Sequence, residues 1–541
     1  MFIKSETHVP FTSPWMGRCG AYVERHAVFL AIVLVAIASL RIAATWHVFN
    51  VTIDEAAHIA CGMEWLEHHT YNREDQHPPL ARVAAALGPY LLGIRSKNQP
   101  SASEEGAAIL MAQDRLQRNL TAARAGILPF FWSSCVVVFV GTRILLGQVG
   151  AVFALFLWSN LPIVLAHSSL ATTDMALTAM LGSTALASVY WFKNPTVVRA
   201  LVLGIAGALA VLSKFSSLPF LACGFIALLL WRPQLLRQIR FSHIRFLVVS
   251  ISVASMVIWA AYWFSYGPVR NATFTLPAPE FFSGLISVKE HNEQGHPAYL
   301  LGSISNTGFK LYYPVAFGVK TPLPFLALLA IATGLCLYKW RKESQYGYPL
   351  AFSCGILTFA ILLSRINIGL RHILPVYLGF CIISAFAIVW LLRNRLGTWV
   401  AVTLTIWFAV TSALAHPDYL AYFNEISGHQ PEKILIDSDL DWGQDMKRLA
   451  IRLQELKITE FTYKPLIYVQ LAGADLPPVR MMDMERPSLG WHAGHITALK
   501  LQQYEILLER PNAKFWTNEI APVEHVGRGI LLWHITELPA P

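Results

Sequence analysis

Thr52-Ile53-Asp54-Glu55-Ala56-Ala57-His58 follows directly on the first long apolar run of the chain, and His77-Pro78-Pro79-Leu80 comes about twenty residues later. Two carboxylates and a histidine therefore stand at a membrane edge. An ionisable side chain at that depth costs several kcal/mol unless it is paired or used, so the stretch is read as functional. The preceding run, 27–48, is long enough to cross about 30 Å of hydrocarbon as a helix. Further runs of this kind lie near 122–142, 149–168, 172–192, 198–213, 215–231, 246–266, 315–338, 348–364, 371–392 and 397–415. With 55% hydrophobic and 14% charged residues and a mean hydropathy of +0.46, the chain lies outside the range of soluble domains. The expected fold class is an all-α polytopic membrane protein with about eleven transmembrane helices.

The first run follows Lys4, Arg18 and Arg25 but is too long for a signal-peptide core and lacks a small-residue cleavage site, so it is expected to remain as a span. None of the seven cysteines forms a C-x-x-C pair, and most fall inside expected spans, where they read as small packing residues. The net charge of +9 does not point to nucleic acid, because the basic residues sit in short hinges. Arg143, Lys193 with Arg199, Arg232 to Arg245, Lys339 to Lys342, and Arg393 with Arg395 occupy alternate connections, which the positive-inside rule assigns to the cytoplasm. Three large segments then lie outside: 49–121, 267–314 and the tail 416–541. The transmembrane domain is expected over 1–415 and an extracytoplasmic domain over 416–541.

In the first outer segment, Ile59, Met63 and Leu66 recur at helical spacing, so a helix is expected from Asp54 to about His69. A second begins at Pro78 or Pro79, proline being tolerated in a first turn, and runs to about Leu92. Both have the amphipathic character of interfacial helices. The tail reads as a small mixed α/β domain, with strands at 433–436, 465–471 and 529–535 and a helix from Asp445 to Leu456.

Thr52-x-x-Glu55 matches a capping box worth on the order of 1 kcal/mol, which accounts for Glu55 and leaves Asp54 as the better catalytic candidate. His58, one turn on, either orients Asp54, joins it on a metal, or bonds backbone or water. His77 is held extended by the proline after it. Asp174, in Ala171-Thr-Thr-Asp-Met175, reaches the same membrane face as Asp54 and is read as more than a helix cap. Lys214, Lys320, Arg365, Arg371 and His372 break the charge rule by lying on the outer side, where buried cations suit a phosphate better than lipid headgroups. Asp437-Ser-Asp-Leu-Asp441-Trp-Gly-Gln-Asp445 fails as a calcium loop, having Trp442 at the sixth position and Arg448 at the twelfth. Asp445 is expected to cap the following helix and Trp442 to anchor the domain. The sequon Asn271-Ala-Thr273 falls on the outer side.

Asp54-Glu55 after the first span, His77-Pro-Pro-Leu80, Asp174, and Arg371-His-Ile-Leu-Pro375 together resemble the family 39 branch of the C-type glycosyltransferases. That group includes the protein O-mannosyltransferases and the lipid A aminoarabinose transferases. Tyr313-Pro-Val to Lys320-Thr-Pro322, and Tyr422-Phe-Asn-Glu425 to Asp441-Trp-Gly-Gln-Asp445, resemble bacterial members with a short outer tail. The resemblance implies a sugar donor linked to polyprenyl phosphate or diphosphate, and a protein, lipid or glycan acceptor on the outer face of the bilayer, with no nucleic acid. It implies catalytic roles for Asp54, Glu55, Asp174 and His77, with Asp54 as base, and substrate binding by His58, Lys214, Lys320, Arg365, Arg371 and His372. Direct attack by the acceptor would invert the anomeric centre. Gln76 and His77 stand where aminoarabinose transferases carry an acidic and a basic residue, so no cofactor is assigned and a divalent metal stays open. The rival reading is a transporter or flippase of a lipid-linked sugar, which would place its charged groups near the bilayer midplane.

Overall fold

The computed structural model describes residues 14–270, 273–339, 344–466 and 475–538. Lys4, Asn271 of the sequon, Arg341 and Lys342, and positions 467–471 of an expected strand lie outside the described residues.

Helices dominate the first three quarters of the chain. Six of them are long and apolar enough to cross a membrane, one bent pair adds a seventh such unit, and three shorter apolar helices accompany them. α1 (Pro14–Thr45) precedes four short helices of the first outer segment, α2 (Ile53–His68), α3 (Pro79–Leu91), α4 (Ala102–Met111) and α5 (Leu116–Ala125). The bundle continues with α6 (Leu128–Asn160), α7 (Pro162–Ser168), α8 (Asp174–Lys193), α9 (Val197–Ser213), α10 (Ser217–Trp231) and α11 (Phe241–Ala261). After the second outer segment with α12 (Pro279–Gln294) come α13 (Tyr312–Lys320), α14 (Leu323–Tyr338), α15 (Tyr348–Leu363), α16 (Val376–Leu391) and α17 (Arg395–Leu414). Leu40, Val28, Trp399 and Leu414 on the bundle's outside are 63 to 80% exposed, which an aqueous surface does not favour and a lipid one does. The chain is a multi-pass integral membrane protein.

Every expected span coincides with helix, but three boundaries differ for local reasons. The runs 122–142 and 149–168 are joined in α6, which breaks only at Gly147, where φ is +73°. The run 315–338 bends by 117° between α13 and α14, because Thr321 precedes Pro322 and is held extended. The run 371–392 starts its α-helix only at Val376, after a 3-10 turn Leu370–Ile373 and Pro375. The two interfacial helices appear as expected, whereas α4, α5 and α12 were not anticipated.

The tail contributes α18 (Met446–Glu455), α19 (Ile496–Glu509), the short α20 (Trp516–Glu519) and most of the strands. Two outer hairpins, β1 (Tyr266–Pro268) with β2 (Thr275–Pro277) and β3 (Ala298–Leu300) with β4 (Ser303–Ser305), belong to the second outer segment. In the tail, β5 (Phe461–Lys464), β6 (Val479–Met481), β7 (Gly490–His495), β8 (Glu524–Val526) and β9 (Ile530–Ile535) form one sheet in the order β6-β5-β7-β9-β8. β5 runs parallel to both neighbours and β9 antiparallel to both of its own. Met446, Leu449 and Leu453 of α18 pack on this sheet, as the spacing predicts. The strand expected at 433–436 is absent: Pro431 starts a 3-10 turn and its carbonyl accepts the N–H groups of Ile434 and Leu435.

Candidate active site

The stretch that opens α2 splits its two carboxylates between different partners. Asp54 and Glu55 are adjacent on a helix and so diverge by about 100°. Glu55 accepts from the Thr52 backbone at 2.8 Å, closing the expected box, but it also pairs with Arg124 at 2.8 Å and accepts the Ala171 N–H at 2.9 Å. Burial pushes this carboxyl up, yet Arg124 and the surrounding N–H groups outweigh it and hold Glu55 below the usual carboxylate range. Glu55 thus ties α2, α5 and the turn before α8 together, and it does not face the reacting groups.

Asp54 turns the other way. Its Oδ2 lies 3.0 Å from Arg371 Nη1, which also approaches Asp174 Oδ2 at 3.4 Å. Asp174 Oδ1 in turn receives Lys214 Nζ at 2.7 Å. Asp174 makes no capping bond at the start of α8, so its carboxylate is wholly given to these cations. Lys214 sits in the extended break between α9 and α10, and Arg371 in the 3-10 turn before α16, so four sequence-distant element ends meet. Arg371 Nη2 makes no hydrogen bond to the described residues, and the Asp54 side chain is 30% exposed, so the cluster has an open side.

The remaining candidates separate. His58 is buried and its Nδ1 accepts from Arg82 Nε at 3.1 Å, with the His77 ring 5.3 Å away. Burial, then the Arg82 charge, holds both imidazoles well below their ordinary pKa, so both are neutral at physiological pH. His77 Nδ1 has no protein partner. His372 is likewise kept neutral by burial and then by Lys214. Lys320 points elsewhere: its Nζ donates to the carbonyls of Leu420 and Asp439 and lies over the Phe423 ring. Arg365 reaches the Glu293 carbonyl at the surface, away from the paired cations. Among the described residues no three His, Cys, Asp or Glu side chains are disposed to hold a metal ion, and Asp54 and Asp174 are already matched by Arg371 and Lys214.

The tail supplies a wall that its failed calcium pattern did not announce. The Arg371 guanidinium stacks over Trp442 with 4.0 Å to the ring centroid, and its Nε donates to Ser438 Oγ at 3.1 Å. Asp439 takes the Leu370 N–H and the Tyr312 hydroxyl, each at 3.0 Å. A Cβ on Gly369 would lie 2.1 Å from Ser438 Oγ, so only glycine admits this close docking beside Arg371. On its other side the loop holds the sheet. Asp441 bonds His495 at 2.8 Å and the Thr497 N–H at 3.1 Å. Asp445 does not cap α18 with its side chain. Its carboxylate instead accepts the Arg528 and Gly529 N–H groups at 2.9 and 3.0 Å. Trp442, Ser438 and Arg124 were missed as site-building residues. Arg124 alone carried a readable signal, being a cation inside an apolar run on the outer side, like Lys214.

A long apolar bundle, interfacial helices in the first outer segment and a small outer sheet domain are shared with ArnT from Cupriavidus metallidurans, solved bound to undecaprenyl phosphate. That structure superposes with a TM-score of 0.50 at 13% identity, covering 94% of this chain and 99% of the other. The fold is that of a C-type glycosyltransferase. The apo state of the same protein superposes with a TM-score of 0.49, again at 13% identity, covering 94% of this chain and 98% of that one. An Archaeoglobus fulgidus oligosaccharyltransferase tethered to an acceptor peptide gives 0.46 at 13% identity, with 83% and 63% of the two chains covered. Residues 118–260 match the family described as dolichyl-phosphate-mannose-protein mannosyltransferase. No curated protein matches the sequence.

Proposed function

We propose that the protein transfers a sugar from a polyprenyl phosphate or diphosphate donor to an acceptor hydroxyl on the periplasmic side of a bacterial inner membrane. The observation that carries this reading is the half-open cluster of Asp54, Asp174, Lys214 and Arg371. An arginine and a lysine fixed in a water-poor site stabilise the charge that grows on a leaving phosphate. The partial match to a dolichyl-phosphate-dependent family and the fold shared with a protein that binds undecaprenyl phosphate support the same donor class. Arg371 and Lys214 receive the phosphate, and Asp174 keeps both cations oriented.

The geometry also supports a sequence of events. In the free protein Asp54 neutralises Arg371, so a phosphate that takes Arg371 releases Asp54. The freed carboxylate is then a base for the acceptor hydroxyl. The acceptor oxygen forms its bond to the anomeric carbon as the bond from that carbon to the phosphate oxygen breaks. The hydroxyl proton goes to Asp54 and the electron pair to the phosphate, inverting the centre. His77 and His58, neutral and adjacent to this face, line the entry without supplying charge.

The test is purified protein with a panel of polyprenyl-phosphate sugars, reading which lipid is consumed. Arg371→Ala is expected to weaken undecaprenyl phosphate binding by about 2–4 kcal/mol, the usual cost of truncating one partner of a buried charged pair. Unchanged affinity rejects the phosphate role, and consumption of none of the lipids rejects the donor class.

A further inference from the structure

Beside the paired cations lies a cleft that the transfer scheme leaves unused. Pro297 and Tyr299 of the outer hairpin line it, with Tyr312 and Asn367 of the membrane domain and Asp437 of the tail. Two polar groups in it lack partners. Asn367 is 1% exposed; its Oδ1 accepts the Phe309 N–H at 2.6 Å, but its Nδ2 is buried with no acceptor. A buried donor of this kind is costly in a finished structure and calls for a ligand. Asp437 receives only the Ser438 N–H, at 2.5 Å, and makes no ion pair with the described residues, unlike Asp54 and Asp174. Its backbone is held at φ +59°, a strained conformation for a residue with a side chain, of the sort that concentrates at functional sites.

We propose that this cleft is the acceptor subsite and that it takes a sugar ring presenting neighbouring hydroxyls. The Asn367 N–H donates to one hydroxyl oxygen and the Asp437 carboxylate accepts the O–H of the next, a complementary pair that a lone serine or threonine hydroxyl satisfies only by half. Tyr299, Tyr312 and Pro297 supply apolar faces for the ring's C–H groups. Ser438, the residue after Asp437, holds Arg371 Nε, so a sugar in the cleft lies next to the guanidinium assigned to phosphate. Burial, only partly offset by Arg371, pushes the Asp437 carboxyl up to about 7, in keeping with a group that shares a proton with a bound hydroxyl.

The inference rests on the transferase reading, since only a transferase has an acceptor. Full-length protein in nanodiscs is tested by saturation-transfer NMR with methyl mannoside, galactoside and glucoside as probes, and by titration with undecaprenyl phosphate. Asn367→Asp and Asp437→Asn preserve size, and Tyr299→Ala probes the wall away from Arg371. Each is expected to cut the glycoside signal by about fivefold, the worth of one hydrogen bond, with undecaprenyl phosphate affinity changed by less than about twofold. Equal signals in wild type and all three variants overturn the proposal. So does silence from every glycoside while a serine-containing peptide gives a signal that the variants abolish. Wild type that binds glycosides at this cleft but no undecaprenyl phosphate overturns the acceptor role through failure of the transferase reading, and the retained glycoside signal tells the two failures apart.

Discussion

Two buried ion clusters begin at neighbouring residues and end in opposite states. Glu55 and Arg124 are both within 1% of full side-chain burial, and Arg124 also donates to the Phe49 and Asn50 carbonyls. Every strong group there has a partner, so the cluster holds the first outer segment against the bundle and has nothing left to offer a ligand. Asp54 and Arg371 differ: one guanidinium nitrogen serves two carboxylates, another serves none, and Asp54 is partly exposed. A charge pair that is fully satisfied is scaffold, and one that is shared and half open is a site.

Substitution breaks that contrast most sharply at Asp54. Asp54→Asn removes the base and is expected to slow transfer roughly 10³-fold, within the range for general-base catalysis. Donor affinity is expected to hold or tighten, because the phosphate no longer competes for Arg371. Single-turnover consumption of the donor lipid, alongside undecaprenyl phosphate titration, reads both quantities; full activity would place the base elsewhere. Glu55→Gln has the reverse profile. It strands Arg124 in the interior and is expected to cost about 3–5 kcal/mol of stability, seen as a fall in Tm far larger than that of Asp54→Asn. Adding Arg124→Met is expected to recover part of the loss, and no recovery would mean the pair is not the unit assigned.

How far these roles were legible depended on whether the cause was local. The capping box in Thr52-x-x-Glu55, the proline start of α3 and the amphipathic spacing of α18 are decided within a few residues, and each appears where the pattern places it. The meeting of Asp54, Asp174, Lys214 and Arg371 was inferred from one rule, that charge on the wrong side of a membrane needs a reason. That rule could not sort the cations by direction, so Lys320 and Arg365 carried the same signal as Arg371 while pointing away. The Asp437–Asp445 loop was opaque because its partners lie far off in sequence. Trp442 under a guanidinium leaves no local trace, and neither does a turn at Pro431 that displaces a strand.

Trp442 sharpens the comparison further, since the stacked face of Arg371 has no counterpart at Arg124. Trp442→Leu keeps an apolar side chain but removes the ring. A buried cation–π contact is worth about 1–2 kcal/mol, so undecaprenyl phosphate affinity is expected to fall by roughly fivefold to thirtyfold. The rate at saturating donor should change little, because Asp54 is untouched. Equal loss of affinity and saturated rate would show that the tryptophan supports the whole site rather than the cation alone.

The smallest expected effect separates the third carboxylate, Asp437, from both clusters. Its folded pKa, raised to about 7 by burial, lies above the ordinary aspartate value, opposite in sign to the shift at Glu55. Below about pH 4 both folded and unfolded chains carry the proton, and the group contributes nothing to the pH dependence. Between about 4 and 7 the unfolded chain loses it while the folded chain keeps it, so the folded state binds more protons and stability falls as pH rises. Above 7 both forms are ionised and the penalty is constant. Asp437→Asn has no such proton, so the Tm of the variant minus that of wild type is expected to grow from pH 4 to 7 and then level off. Glu55→Gln should not reproduce that curve, because the Glu55 contribution is lost on acidification below the unfolded carboxylate range. A flat difference for Asp437→Asn would show that the carboxylate finds in solution a partner that lowers its pKa, and would move it into the same class as Asp174.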